Sequence, residues 1–184
     1  FEFPDTAFAI KAGDLDSDGD ADLVVGCNFT GQSYVLINDG GAFTLQDIAP
    51  GTDHSIGDLE LGDVDGDGDL DIIAADWGTS QPFGDGDDFG GPIHLWLNDG
   101  TGTFTDGDMK LPMDPDNQVS WSFDIEFIDF DNDFDLDVFV SSRGALTKAK
   151  VYKNDGQGTF ELFPVPALQP VNGKNVNVAF TPMD

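Results

Sequence analysis

One pattern recurs three times along this chain and restricts its fold more than any other feature. Gly13-Asp14-Leu15-Asp16-Ser17-Asp18-Gly19-Asp20-Ala21-Asp22-Leu23-Val24-Val25 aligns with Gly62-Asp63-Val64-Asp65-Gly66-Asp67-Gly68-Asp69-Leu70-Asp71-Ile72-Ile73-Ala74. A third copy runs Ile128-Asp129-Phe130-Asp131-Asn132-Asp133-Phe134-Asp135-Leu136-Asp137-Val138-Phe139-Val140. Each is followed by an apolar stretch that ends in a second signature, at Asn38-Asp39-Gly40, Asn98-Asp99-Gly100 and Asn154-Asp155-Gly156. In the last two copies the signature extends to Gly-Thr-Phe, at Phe104 and Phe160. Two coupled motifs in constant order mark a repeat architecture in which each unit buries its apolar face on its neighbours.

Each unit reads as four short strands. The first lies before the aspartates, with apolar residues at alternate positions (Phe8, Ile10 and Ala12; Leu59 and Leu61; Ile125 and Phe127), which predicts one buried face. The second follows the Asp loop, as in Leu23-Val24-Val25, and the third leads into Asn-Asp-Gly, as in Tyr34-Val35-Leu36-Ile37. Asn-Asp-Gly tolerates the positive φ of a tight hairpin, and a fourth strand starts at Phe43, Phe104 or Phe160. Four antiparallel strands per unit of about 50 residues predict an all-β chain of β-propeller blades. The blades fall at about 5–52, 53–117 and 118–172, with a partial blade over 173–184, all within one propeller segment over 1–184. Phe1-Glu2-Phe3-Pro4 reads as a fourth strand, and Val178 to Asp184 as the start of a further blade. Three blades do not close a ring, so the rest of the propeller is expected from sequence outside this segment.

The charge belongs to the same pattern. The chain has 36 acidic and 7 basic residues, a net charge of −29, and 32 of the acids are aspartate. A disordered acidic tail would lack the 16 Phe and 3 Trp that this chain can bury. No basic patch exists to neutralise phosphates, so nucleic acid is not an expected partner. No apolar run approaches the roughly 20 residues of a membrane span, so membrane insertion is not expected either. Cys27 is the one cysteine and reads as a small buried apolar residue.

Within each loop the carboxylates fall at positions 1, 3, 5 and 9, with the backbone carbonyl of position 7 available. These are Asp14, Asp16, Asp18, Asp20 and Asp22; Asp63, Asp65, Asp67, Asp69 and Asp71; and Asp129, Asp131, Asp133, Asp135 and Asp137. Six to eight oxygens in flexible geometry suit Ca²⁺, whereas Mg²⁺ prefers fewer protein ligands and transition metals prefer His or Cys. An EF-hand would need a glutamate at position 12 and flanking helices; position 12 is Val25, Ala74 and Val140. Gly19 and Gly68 at position 6 allow the sharp reversal, whereas Phe134 would strain it. Two calcium sites are therefore expected in loops one and two, with loop three the weaker of the three.

The Asp loop followed by Asp-Leu-Val-Val and Asn-Asp-Gly-x-Gly-x-Phe resembles the FG-GAP/VCBS-type repeat, as in the integrin α-subunit N-terminal propeller. The Phe-Gly and Gly-Ala-Pro elements are degenerate, at Ile56-Gly57 and Ala75-Asp76-Trp77, which is nearer the VCBS-like form. The resemblance implies an extracellular, cell-surface or periplasmic protein, typically seven-bladed, with structural calcium in the loops and a role in adhesion, recognition or assembly.

Strand order places the Asp loops and the Asn-Asp-Gly hairpins at one end of each blade. A protein or glycan partner is expected at the opposite end, on loops such as 77–92 and 113–121. Trp77, Phe83, Asp85, Asp87, Phe89 and Trp121 are the candidates there, although Trp121 reads better as packing between blades. Asn28-Phe29-Thr30 fits a glycosylation sequon. His54 and His94 have no Ser, Cys or metal-type partner at a telling spacing, so no catalytic residue is assigned and the chain is not expected to be an enzyme. A lectin-like propeller, or an accessory propeller of a larger secreted enzyme, is the alternative.

Overall fold

The computed structural model describes residues 6–28, 32–48, 54–78, 90–113, 116–120, 122, 124–142 and 149–164. They form three antiparallel sheets, each in simple up-and-down order. Blade one is β1 (Thr6–Gly13), β2 (Asp22–Asn28), β3 (Tyr34–Asp39) and β4 (Ala42–Asp47). Blade two is β5 (Ile56–Gly62), β6 (Asp71–Asp76), β7 (Gly90–Asn98) and β8 (Phe104–Asp106). After β9 (Gln118–Ser120), blade three is β10 (Ile125–Ile128), β11 (Asp137–Val140), β12 (Lys150–Asn154) and β13 (Phe160–Phe163). The chain is all-β with propeller-like blades, and the sheets do not close into a ring. A single turn of 3₁₀ helix, Asp108–Lys110, is the one helical element among the described residues. No helix among them is long and apolar enough to cross a membrane. The two terminal strand assignments, at residues 1–4 and 178–184, lie outside the described residues.

Residues 113–121 are not wholly a loop. β7 is nine residues long and runs past its pairing with β6 and β8, and β9 adds to the exposed start of β7 by pairing Gly90, Gly91 and Pro92 with Ser120, Val119 and Gln118. Asn117 closes the connection, its Oδ1 accepting the Ile93 N–H at 3.1 Å.

The blades pack face against face, and the core lies between them. Val24 and Val35 of blade one meet Leu59, Ile72, Ala74, Trp96 and Phe104 of blade two. Ile73, Ala75, Ile93 and Leu95 of blade two in turn meet Ile125, Val138, Val140, Tyr152 and Phe160 of blade three. One position of the first-strand pattern behaves differently from expectation. Leu59 and Ile125 are fully buried, but their counterpart Ile10 is 61 % exposed and Phe8 54 % exposed, with Ala12 exposed beside them. This face of a blade is covered by the preceding blade, and no described blade precedes β1.

Trp77 ties the three blades together. Its indole N–H donates to the Ser122 carbonyl, its ring meets Phe8 edge-on with centroids 4.7 Å apart, and it covers Gly57 so closely that any side chain there would displace it.

Candidate metal centre

The loop between the first two strands of each blade is organised by its position-9 aspartate. Asp22, Asp71 and Asp137 are fully buried. One oxygen of each accepts the N–H of position 2, from Leu15 at 2.7 Å, Val64 at 3.0 Å and Phe130 at 2.9 Å. The other accepts the N–H of the hairpin asparagine, from Asn38 at 2.7 Å, Asn98 at 2.9 Å and Asn154 at 2.9 Å. The same carboxylate thus holds the loop shut and fastens it to the neighbouring hairpin, which puts both motifs at one end of the blade. The position-1 carboxylates, Asp14, Asp63 and Asp129, accept the N–H of position 6 across the turn.

Two positions in each loop take the left-handed conformation. At position 6, Gly19, Gly68 and Phe134 have φ of 92°, 98° and 74°; at position 4, Ser17, Gly66 and Asn132 have φ of 61°, 79° and 64°. The backbone course is therefore kept in loop three despite Phe134, whose side chain stands 93 % exposed. An aromatic residue there costs about 1–2 kcal/mol.

These turns bring carboxylate oxygens together. Asp14, Asp16 and Asp18 converge within 4.8 Å in loop one. Asp63, Asp65 and Asp71 do so in loop two, and Asp129, Asp131 and Asp137 in loop three. Loop two carries the clearest sign of a missing partner: Asp65 Oδ1 is buried and has no hydrogen-bond donor among the described residues. An unpaired buried carboxylate oxygen is costly unless a cation faces it. The donor set is all oxygen, as a hard cation requires, and it fits calcium.

Burial, with the charges of Asp65 and Asp67 adding to it, pushes the Asp71 carboxyl up to about 6, against hydrogen bonds from Asn98 and Val64 that favour the charged form. Burial raises Asp137 likewise. A carboxyl held above its unfolded value of 3.8 binds its proton more tightly in the folded state, so stability falls as pH rises between the two values. In chelator, Asp71 is expected to lower the melting temperature as pH rises from about 4 to 6, and His94 to lower it further between about pH 6.5 and pH 9. Saturating calcium should flatten the Asp71 slope. Melting curves across this range check it, and a slope of the opposite sign in chelator would contradict it.

Residues 5–74, which span the first two Asp loops with their coupled strands, match the FG-GAP-like repeat. That stretch carries FG-GAP-type repeats. None of the curated proteins matches the chain.

Beyond the matched stretch, the third Asp loop differs by a cation. The residue before the hairpin asparagine is Ile37 in blade one and Leu97 in blade two, but Lys153 in blade three. Lys153 Nζ pairs with Asp131 and lies 3.0 Å from Asp133. An ammonium therefore sits on two carboxylates that the spacing assigns to metal. The Phe134 reasoning missed this difference, although a charge at an otherwise apolar position was visible in the alignment.

The opposite end of blade two holds a group that spacing did not reveal. His54, just before β5, Asp76, at the end of β6, and His94, within β7, converge within 4.8 Å. The imidazoles are stacked with centroids 3.7 Å apart. Burial works against a charged His94, but hydrogen bonds to Asp108 and Asp76 outweigh it and hold its pKa at about 9. Burial would raise Asp76, yet hydrogen bonds from His54 and His94 bring it well below the usual carboxylate range. No telling spacing was available because strand pairing, not local sequence, joins these residues. Of the other candidates at this end, Trp77 has its indole engaged between blades, while Phe83, Asp85, Asp87, Phe89 and Trp121 lie outside the described residues. Asn28 of the sequon is 2 % exposed and accepts a hydrogen bond from Ser55, so a glycan has no access to it in the folded chain.

Proposed function

We propose that this chain is a non-enzymatic, extracellular propeller segment that serves adhesion, recognition or assembly, with calcium holding its blade loops. The observation that carries the reading is the convergence of Asp63, Asp65 and Asp71 around a buried, unpartnered Asp65 oxygen. Calcium would supply the positive charge that offsets mutual repulsion among these carboxylates. The rest is done by the chain: Asp71 and Asp22 keep the loops closed on their hairpins, and Gly19 and Gly68 hold the turns open for convergence. Extracellular modules of this kind bind calcium at about 10⁻⁴–10⁻³ M, which favours occupancy outside the cell over the cytosol. The long segment 77–92, at the end of blade two opposite the loops, is where a protein or glycan would dock.

Loops one and two are the proposed sites, and Lys153 makes loop three the weakest because its ammonium already occupies the carboxylates. Calcium titration by calorimetry is expected to register two equivalents in the native chain. Lys153→Leu, which copies Leu97, should add a third. Absence of binding at millimolar calcium in the native chain would sink the proposal. An unaltered stoichiometry in Lys153→Leu would remove the account of loop three alone.

A further inference from the structure

We propose that the far end of blade two is a second and chemically different metal site, which takes a divalent transition ion of the zinc type. Its ligands are His54 Nδ1, Asp76 Oδ2 and His94 Nε2, with a fourth position open to solvent. It is independent of the aspartate loops, which lie at the other end of the same strands.

Asp76 Oδ2 lies 3.5 Å from His54 Nδ1 and 3.4 Å from His94 Nε2. Both are long for an imidazole–carboxylate hydrogen bond, which runs at about 2.7–2.9 Å when charge-assisted. The contact between His94 Nδ1 and Asp108 Oδ2, at 2.7 Å, shows what such a bond looks like in this same cluster. Atoms bound at about 2.0–2.2 Å to one tetrahedral ion stand about 3.3–3.6 Å apart. The two long separations match two edges of such a tetrahedron, and the imidazoles, stacked at 3.7 Å, would turn apart to complete it.

Asp108 is fixed by the Leu95 N–H, which donates to its Oδ1 at 2.8 Å, and its Oδ2 takes the Nδ1–H of His94. That bond keeps the proton on Nδ1, so Nε2, which faces Asp76, is the nitrogen whose proton an incoming metal would displace. A carboxylate behind a ligating histidine is the usual support of such sites. Asp76 is prepared in the same way: its Oδ1 accepts the Ser55 N–H at 3.1 Å and the Gly78 N–H at 2.6 Å, so Oδ2 alone turns to the two imidazoles.

The side chains of His94 and Asp76 are each 7 % exposed, and Trp96 packs beside both imidazoles at 5.7 and 5.9 Å. His54, 24 % exposed, forms the solvent side through which an ion and a fourth ligand enter. Two nitrogens and one oxygen select transition ions over calcium, so this site and the loops would not compete for one metal.

The test is titration of the full chain with Co²⁺ and then Zn²⁺, in saturating calcium so that the aspartate loops are filled. One equivalent of Co²⁺ is expected to develop the intense visible bands of four-coordinate cobalt, and one of Zn²⁺ to bleach them. His94→Gln and His54→Gln should abolish the bands, and Asp108→Asn should weaken affinity by about 10–100-fold. Should those variants fail to fold, the native chain still decides the question, because it has only two histidines. Long-range ¹H–¹⁵N spectra should show Zn²⁺ moving His94 Nε2 and His54 Nδ1 while His94 Nδ1 stays protonated. Spectra of six-coordinate cobalt, histidine resonances unmoved by zinc, or binding that survives both histidine substitutions would each overturn the proposal.

Discussion

Removing calcium is expected to lower the melting temperature of this chain by about 10–20 °C. A ligand that binds only the folded state stabilises it by about 2.7 kcal/mol at a hundredfold excess over its dissociation constant, here about 10–100 mM calcium, so two loops filled to that degree contribute about 5 kcal/mol. Near this chain length each kcal/mol corresponds to about 2–4 °C. The direction follows from the loop geometry: carboxylates that converge within 4.8 Å repel one another when bare, and Asp65 Oδ1 is left buried without a donor. Asp67→Ala should reproduce part of the loss, because it removes a position-5 carboxylate while the Asp71 staple remains. Scanning calorimetry in calcium and in chelator measures both effects. A melting curve unmoved by chelation, with the metal shown to be gone, would mean that the sheets stand without it.

A comparably large effect is expected at the hairpin asparagines, graded along the chain. Asn98 Nδ2 donates to the Leu70 carbonyl within its own blade at 3.1 Å and to Leu15 of the preceding blade at 2.8 Å. Asn154 Nδ2 repeats this with Leu136 at 3.2 Å and Val64 at 2.7 Å. Both asparagines are buried, and each fastens one Asp loop to the next blade. Replacing either by Ala removes two or more hydrogen bonds and orphans a buried carbonyl, at a cost of about 3 kcal/mol. Among the described residues Asn38 Nδ2 reaches only the Ala21 carbonyl, in an exposed setting, so Asn38→Ala should cost about 1 kcal/mol. Denaturant titration of the three variants gives the ranking. Equal losses at all three positions would show that the asparagines act through their own hairpins rather than between blades.

Much of the fold was legible because a blade is written locally. The period-two apolar runs, the Asp loop and the hairpin signature each sit within about ten residues, and their order sets the β1-β2-β3-β4 path. Features that depend on the neighbouring blade were not legible. Ile10 and Leu59 occupy the same place in the pattern, yet one is exposed and the other buried, because among the described blades only the second has one behind it. The asparagines read as turn formers, whereas the positive φ angles fall on the glycines that follow them and the amides link blades. The position-9 aspartates read as ligands, and spacing gave no hint that both of their oxygens also clamp backbone N–H groups. His54 and His94 stand forty residues apart, and only the antiparallel pairing of β5, β6 and β7 brings them onto Asp76. Two signals were present and passed over: Lys153 at an apolar position, and Gly66 and Asn132 as left-handed residues at position 4.

The most direct test of the central claim is a crystal structure determined in millimolar calcium, with anomalous scattering used to identify the ions. The expected result is a calcium ion in loop one among Asp14, Asp16, Asp18 and Asp22, and another in loop two among Asp63, Asp65, Asp67 and Asp71. Each should have six to eight oxygens at about 2.3–2.6 Å, with the carbonyls of Asp20 and Asp69 in the shells. Loops one and two without an anomalous peak, their carboxylates splayed into solvent, would contradict the account.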